Sequence, residues 1–146
     1  MKQNYKVLII DDNVIDQIVT KQLLKKHLNL TEIHAVGGGK QGLEWLRNFK
    51  NEEKYQLIIL LDIKMPQMDG FEFLEEYKKL DKELTSQIII FMLSSTLDLL
   101  DKKRAKNNSS VKTLLSKPLA VDELCLSLEI ELGNDKILFQ TYTKSL

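Results

Sequence analysis

The chain has 146 residues, 43% hydrophobic and 29% charged, with Lys+Arg and Asp+Glu balanced at 21 each. This describes a single globular domain large enough for a core, and zero net charge argues against a strongly basic nucleic-acid surface or electrostatic attraction to a membrane. The lone Cys125 excludes an internal disulfide and a cysteine metal cluster and reads as a packed thiol; no secretory apolar region follows Met1, and the apolar runs are far short of the ~20 residues of a membrane helix, so the cytoplasm is the expected compartment.

Short apolar runs alternate with segments of helical period. Residues 6–10 read as the first strand, ending on Asp11 and Asp12. A helix over 14–27 is predicted to place Ile15, Ile18, Val19, Leu23 and Leu24 on its core stripe. Residues 32–36 form the second strand, broken by Gly37-Gly38-Gly39, and a helix over 40–49 carries Leu43, Trp45 and Leu46. The third strand, 56–61, runs into Asp62; the helix after it, 70–80, carries Phe71, Phe73, Leu74 and Tyr77. A fourth strand over 87–93 precedes a weak helix over 97–106. A fifth strand, 111–115, precedes a helix over 121–132 with Val121, Leu124, Leu128 and Leu132 inward.

Runs that are apolar throughout, rather than alternating, belong to strands covered on both faces. Right-handed crossovers then leave few topologies. We expect an α/β fold: a doubly wound five-stranded parallel sheet in the order 2-1-3-4-5 with helices on both faces. Its ligand crevice lies beyond the carboxyl ends of strands 1 and 3.

Chemistry gathers at those strand ends. Asp62 closes Leu57-Ile58-Ile59-Leu60-Leu61 and meets the punctuated loop Ile63-Lys64-Met65-Pro66-Gln67-Met68-Asp69-Gly70. Carboxylates converging on one cavity repel each other unless a cation shares them. A hard cation such as Mg2+ takes oxygen ligands and leaves room for phosphate oxygens. A carboxylate is also a nucleophile able to form an aspartyl-phosphate; Asp62, with no acidic neighbour in sequence, is the expected one. Asp69 beside Gly70 reads instead as a helix cap. Lys117 either reaches a phosphoryl oxygen as a point charge, aimed inward where the bond to Pro118 is cis, or is a solvent-facing lysine before a helix-starting proline. Ser94 is expected to bond a phosphoryl oxygen, with Ser95 or Thr96 capping the following helix.

Asp11-Asp12, Asp62 with Met65-Pro66-Gln67-Met68-Asp69-Gly70, Ser94 and Lys117-Pro118 together resemble the receiver domain of two-component response regulators, in order and spacing, over residues 5–132. The resemblance implies that Asp62 takes a phosphoryl group from the phosphohistidine of a sensor histidine kinase or phosphotransfer protein. It implies Mg2+ held by Asp12, Asp62 and the backbone carbonyl of Lys64, with Asp11 acting mainly through a bound water. Ser94 and Lys117 are then the phosphoryl-oxygen ligands. Phosphorylation is expected to shift a two-state equilibrium at the face of strand 4, the helix after it and strand 5, toward a downstream protein the sequence does not name. Two positions depart from the family: Leu114 stands where Tyr or Phe is usual, and Ser94 where Thr is more usual. Lys64, two residues past the acceptor, either overhangs and shields the phosphoryl group or is a solvated loop lysine.

Residues 1–132 are expected to be the receiver and 133–146 a tail, docked or frayed, with Gly133 stopping the last helix and no output domain. Ile137, Leu138, Phe139 and Tyr142 make that tail apolar enough to pack on the domain or a second copy. Leu126 and Ile130 lie off the last helix's stripe, which with strand 5 and the preceding helix offers a homodimer or partner face. A phosphohydrolase with an aspartyl nucleophile commonly carries a second Asp two residues later; Lys64 occupies that position, so no enzyme beyond self-phosphorylation and self-hydrolysis is expected. A non-phosphorylated scaffold is disfavoured because nucleophile, metal acids and lysine are all present. Gly37-Gly38-Gly39-Lys40 lacks the spacing of a phosphate loop and reads as a tight turn. His27 and His34 read as surface or sheet-face residues.

Overall fold

Alternate side chains of each central strand leave the sheet on opposite sides, and here both sides are buried. Leu8, Ile10, Leu57, Ile59, Leu61, Ile90 and Met92 enter one apolar cluster. Val7, Ile9, Ile58, Leu60, Phe91 and Leu93 enter the other. This is why the strands appear in sequence as unbroken apolar runs.

The computed structural model describes residues 4–50, 55–96 and 98–128. Its elements are β1 (Tyr5–Ile10), α1 (Val14–Leu28), β2 (Ile33–Val36), α2 (Gly39–Arg47), β3 (Gln56–Asp62), α3 (Gly70–Tyr77), α4 (Lys82–Thr85), β4 (Ile88–Ser94), α5 (Leu99–Lys106), β5 (Val111–Ser116) and α6 (Val121–Ser127). The strands form one five-stranded sheet in the expected order, β2-β1-β3-β4-β5, and every pairing is parallel. The larger cluster is closed by Leu43 and Leu46 of α2, by Phe71, Phe73, Leu74 and Tyr77 of α3, and by Ala105 of α5. The smaller is closed by Leu24 of α1 and Leu124 of α6. Leu114 packs half-buried against the larger cluster.

The stripe predicted for α1 holds in part. Leu24 is buried and Leu23 packs half-buried on the smaller cluster, as expected, but Ile15, Ile18 and Val19 are 71%, 51% and 38% exposed, together with Val14, and Thr20 goes inward instead. A 15-residue helix on the edge of a two-helix layer buries only a narrow strip, and apolar spacing alone does not say which strip. The cap of α5 is also corrected: Asp98, rather than Ser95 or Thr96, accepts from the Leu100 amide at 2.9 Å. The short α4 was not foreseen, since four residues carry no periodicity to read. Asp69 does cap α3, in a capping box with Glu72. Leu97, Ile130, Leu132 and the tail from Gly133 lie outside the described residues, so the expectations placed on them do too. Among the described residues no helix is long and apolar enough to cross a membrane.

One contact ties α3 to the edge of β3, and another joins α5 to α3. The Gly70 amide donates to the Ile63 carbonyl at 2.7 Å, folding the loop back on the strand. A Cβ on Gly70 would stand 2.7 Å from the Asp62 carbonyl oxygen and 2.8 Å from the Met92 methyl. The Arg104 guanidinium lies 3.9 Å from the centre of the Phe71 ring. Gly70→Ala is therefore expected to destabilise the fold by about 1–3 kcal/mol, the usual cost of overpacking, measured as a lowered urea midpoint at unchanged slope.

Candidate functional site at the carboxyl edge

Register brings the acids together. Ile10 is the partner of Leu61 across the β1–β3 pairing, so Asp11 and Asp62 follow one step further on, side by side. Asp11 continues the alternation of Val7 and Ile9, and Asp62 that of Ile58 and Leu60. Both thus belong to the side of the sheet that α1 and α6 cover. One ligand oxygen each from Asp11, Asp12 and Asp62 lies within 4.8 Å of the others. Asp11 is 1% and Asp62 7% exposed, while Asp12 faces solvent.

Lys117 enters this group from the end of β5. Its Nζ donates to Asp11 Oδ2 at 2.7 Å and to Asp16 Oδ2 at 2.9 Å, and stands 3.3 Å from Asp62 Oδ1. The bond to Pro118 is cis. The Lys117 amide donates to the Ser94 carbonyl at 2.9 Å, joining the ends of β4 and β5.

The surrounding bonds hold the first loop in place. Asp11 Oδ1 accepts from the Asn13 amide at 2.9 Å, so both Asp11 oxygens already have donors. Gln17 Nε2 donates to the carbonyls of Asp11 and Val36. Asn13 caps α1, accepting from the Asp16 amide at 3.1 Å. Ser94 is buried at the end of β4, and its hydroxyl is turned to its own loop: it donates to the Thr96 carbonyl at 2.7 Å and accepts from the Thr96 amide at 3.2 Å. The Lys64 side chain is exposed in the loop after β3. His34 sits away from the acids, its ring 5.4 Å from that of Trp45. A groove of about 440 Å³ beside that pair, lined by Lys6, Trp45 and Phe49 among others, includes none of Asp11, Asp12, Asp62, Ser94 and Lys117.

Sequence reasoning missed Asp16. Its only signal is an acid in the first turn of a helix, which ordinarily means a favourable end for the helix dipole. Nothing in the spacing says that it meets a lysine 101 positions away.

The electrostatics follow from burial and like charges. Burial pushes the Asp62 carboxyl up from 3.8 to about 6; Lys117 opposes this, and Asp11 and Asp12 add to it. Burial pulls the Lys117 ammonium down, but its bonds to Asp11 and Asp16 and the charge of Asp62 more than reverse that, leaving it above its ordinary value. A hard divalent cation suits this donor set: carboxylate oxygens only, within reach of one another, and short of positive charge.

Residues 7–129 match the family model described as the response regulator receiver domain. The chain is 32% identical over 121 residues to the sensor histidine kinase CheAY of Helicobacter pylori, covering 83% of this chain but 14% of that protein. The nitrate/nitrite response regulator NarL of Escherichia coli is 30% identical over 89 residues, which cover 38% of its length. The probable chemotaxis protein CheY of Rhizobium etli is 26% identical, over 90% of this chain and 95% of that one. Among solved structures, a response regulator receiver protein from Dyadobacter fermentans superposes with a TM-score of 0.79 at 32% identity, covering 86% of this chain and 95% of that one.

A carboxyl with a raised native pKa binds its proton more tightly folded than unfolded. Asp62 therefore contributes stability below about pH 4 that is lost as pH rises through about 6. In metal-free buffer, Asp62→Asn is expected to gain on wild type across that window and then hold a constant advantage. The upper bound is about 3 kcal/mol, at ~1.4 kcal/mol per unit. Thermal unfolding of both proteins from pH 4 to 8 in EDTA measures it; a difference that does not change with pH contradicts the assignment.

Proposed function

Because this chain belongs to the response regulator receiver domain family, we propose that it is a phospho-accepting receiver of a two-component relay with Asp62 as the acceptor. The observation that carries this reading is the convergence of Asp11, Asp12 and Asp62 with the Lys117 ammonium at one sheet edge. The Asp62 carboxylate attacks the phosphorus of a donor phosphohistidine. An oxygen–phosphorus bond forms as the donor's nitrogen–phosphorus bond breaks, and the bond's electron pair leaves with the imidazole.

Lys117, already 3.3 Å from Asp62 Oδ1, supplies positive charge to a phosphoryl oxygen carried there. The Ser94 hydroxyl exchanges its bond to the Thr96 carbonyl for one to the phosphoryl group. Asp12, Asp62 and the backbone carbonyl of Lys64 would hold a Mg2+ ion, with Asp11 acting through a water, and the ion would supply neutralisation of charge on the transferring group. Both Asp11 oxygens already accept a hydrogen bond, which supports its indirect role.

The donor is a sensor histidine kinase or phosphotransfer protein. Val14, Ile15 and Ile18 stand exposed on α1 directly after Asp12 and Asn13, and offer an apolar landing beside the acceptor. Output passes through the face of β4, α5 and β5 to a downstream protein or a second copy, with Leu114 in place of an aromatic side chain. Lys64, where a phosphohydrolase would carry an acid, supports the absence of turnover on external phosphate esters.

With Mg2+ and acetyl phosphate, intact mass is expected to rise by one phosphoryl group in wild type, but neither in Asp62→Asn nor in the presence of EDTA. Lys117→Ala should slow the gain by roughly 100-fold, the cost of losing one group aimed at developing charge. Equal labelling of wild type and Asp62→Asn overturns the reading.

A further inference from the structure

We infer that Asp16 is a positioning residue that acts through Lys117, holding the ammonium toward α1 and so restraining its reach to a phosphoryl group on Asp62. The inference rests on the phospho-accepting reading of Asp62 and goes a step beyond it.

An ammonium has three N–H donors. Two of those on Lys117 are engaged, at 2.7 Å with Asp11 and 2.9 Å with Asp16, and Asp62 is the most distant of its three carboxylates at 3.3 Å. Asp11 is fixed at the sheet edge and almost fully buried, with its second oxygen held by the Asn13 amide. Asp16 is different. It comes from the first turn of α1, its side chain is 38% exposed, and among the described residues its carboxylate bonds to Lys117 alone. Its backbone is set by the Asn13 cap, so the carboxylate is presented to the lysine by the same turn that presents Asp12.

Two effects follow, both of one sign. The Asp16 carboxylate occupies a donor that a phosphoryl oxygen would otherwise receive. Its charge also offsets the ammonium's attraction for an incoming phosphate-bearing donor. Removing the charge while keeping the shape should release the lysine toward position 62. Asp16 does not touch the reacting atoms, so the effect must vanish when Lys117 is absent.

The test is beryllofluoride binding with Mg2+, followed by fluorine NMR, and phosphorylation by acetyl phosphate, on wild type, Asp16→Asn, Asp16→Glu and the same Asp16→Asn change in a Lys117→Met background. Asp16→Asn is expected to bind beryllofluoride about three- to fivefold more tightly, the scale of one partly exposed ion pair. It should also take phosphate with a lower KM for acetyl phosphate. Asp16→Glu should restore wild-type values, and in the Lys117→Met background the Asp16 change should do nothing. A purely structural role predicts the opposite, weaker binding along with a lower melting temperature, and that result overturns the inference. So does an equal gain with and without Lys117. If wild type binds beryllofluoride and takes phosphate while Asp16→Asn matches it, the inference fails and the acceptor reading stands. If wild type does neither, both fall together.

Discussion

One ammonium holds this molecule's carboxyl edge together. Asp11, Asp12 and Asp62 bring three negative charges within a few ångströms, two of them nearly out of water. Burial holds the Asp62 carboxyl above its ordinary value, and the charges of Asp11 and Asp12 add to that. Lys117 is the counterweight, within ion-pair distance of Asp11, Asp16 and Asp62 at once. It leaves the edge still rich in negative charge. That excess makes a divalent cation a natural occupant and an anionic phosphate, alone, a poor one.

The fold supplies this arrangement through register rather than through the loops. β1 and β3 are neighbours although a helix, a strand and a second helix separate them in sequence. Their in-step pairing puts the residues after Ile10 and Leu61 opposite each other. The same edge carries Ser94 and Ser116 as partners at the ends of β4 and β5, which sets Lys117 one residue beyond. Asp11, Asp62 and Ser94 thus hang from strands buried on both faces, and the rigidity of the core passes to the site.

What the sequence disclosed was whatever depends on local type and order. Unbroken apolar runs announced a covered sheet, and acids closing two of them announced its edge. Asp69 beside Gly70 announced a cap, found with Glu72 completing it. What stayed hidden depends on which side of an element meets its neighbour. α1 carries apolar residues around much of its circumference, and Thr20, a polar residue, takes a buried place while Ile15 faces outward. Ser94, Ser95, Thr96 and Asp98 all suit a helix cap, and only the structure selects Asp98. Asp16 was silent because its partner arrives from the far end of the chain.

The contact of Arg104 with Phe71 bears on how α5 is seated. That helix commits little to the core, with Asp101 and Ala105 turned inward and Leu99 and Leu100 outward. Its Arg104 guanidinium lies over the ring of Phe71, which directly follows Gly70, the glycine clamped to the loop after Asp62. A tilt of α5 therefore strips one face of that ring of its cover. The seating of α5 and the course of the loop after Asp62 thus meet at one aromatic side chain.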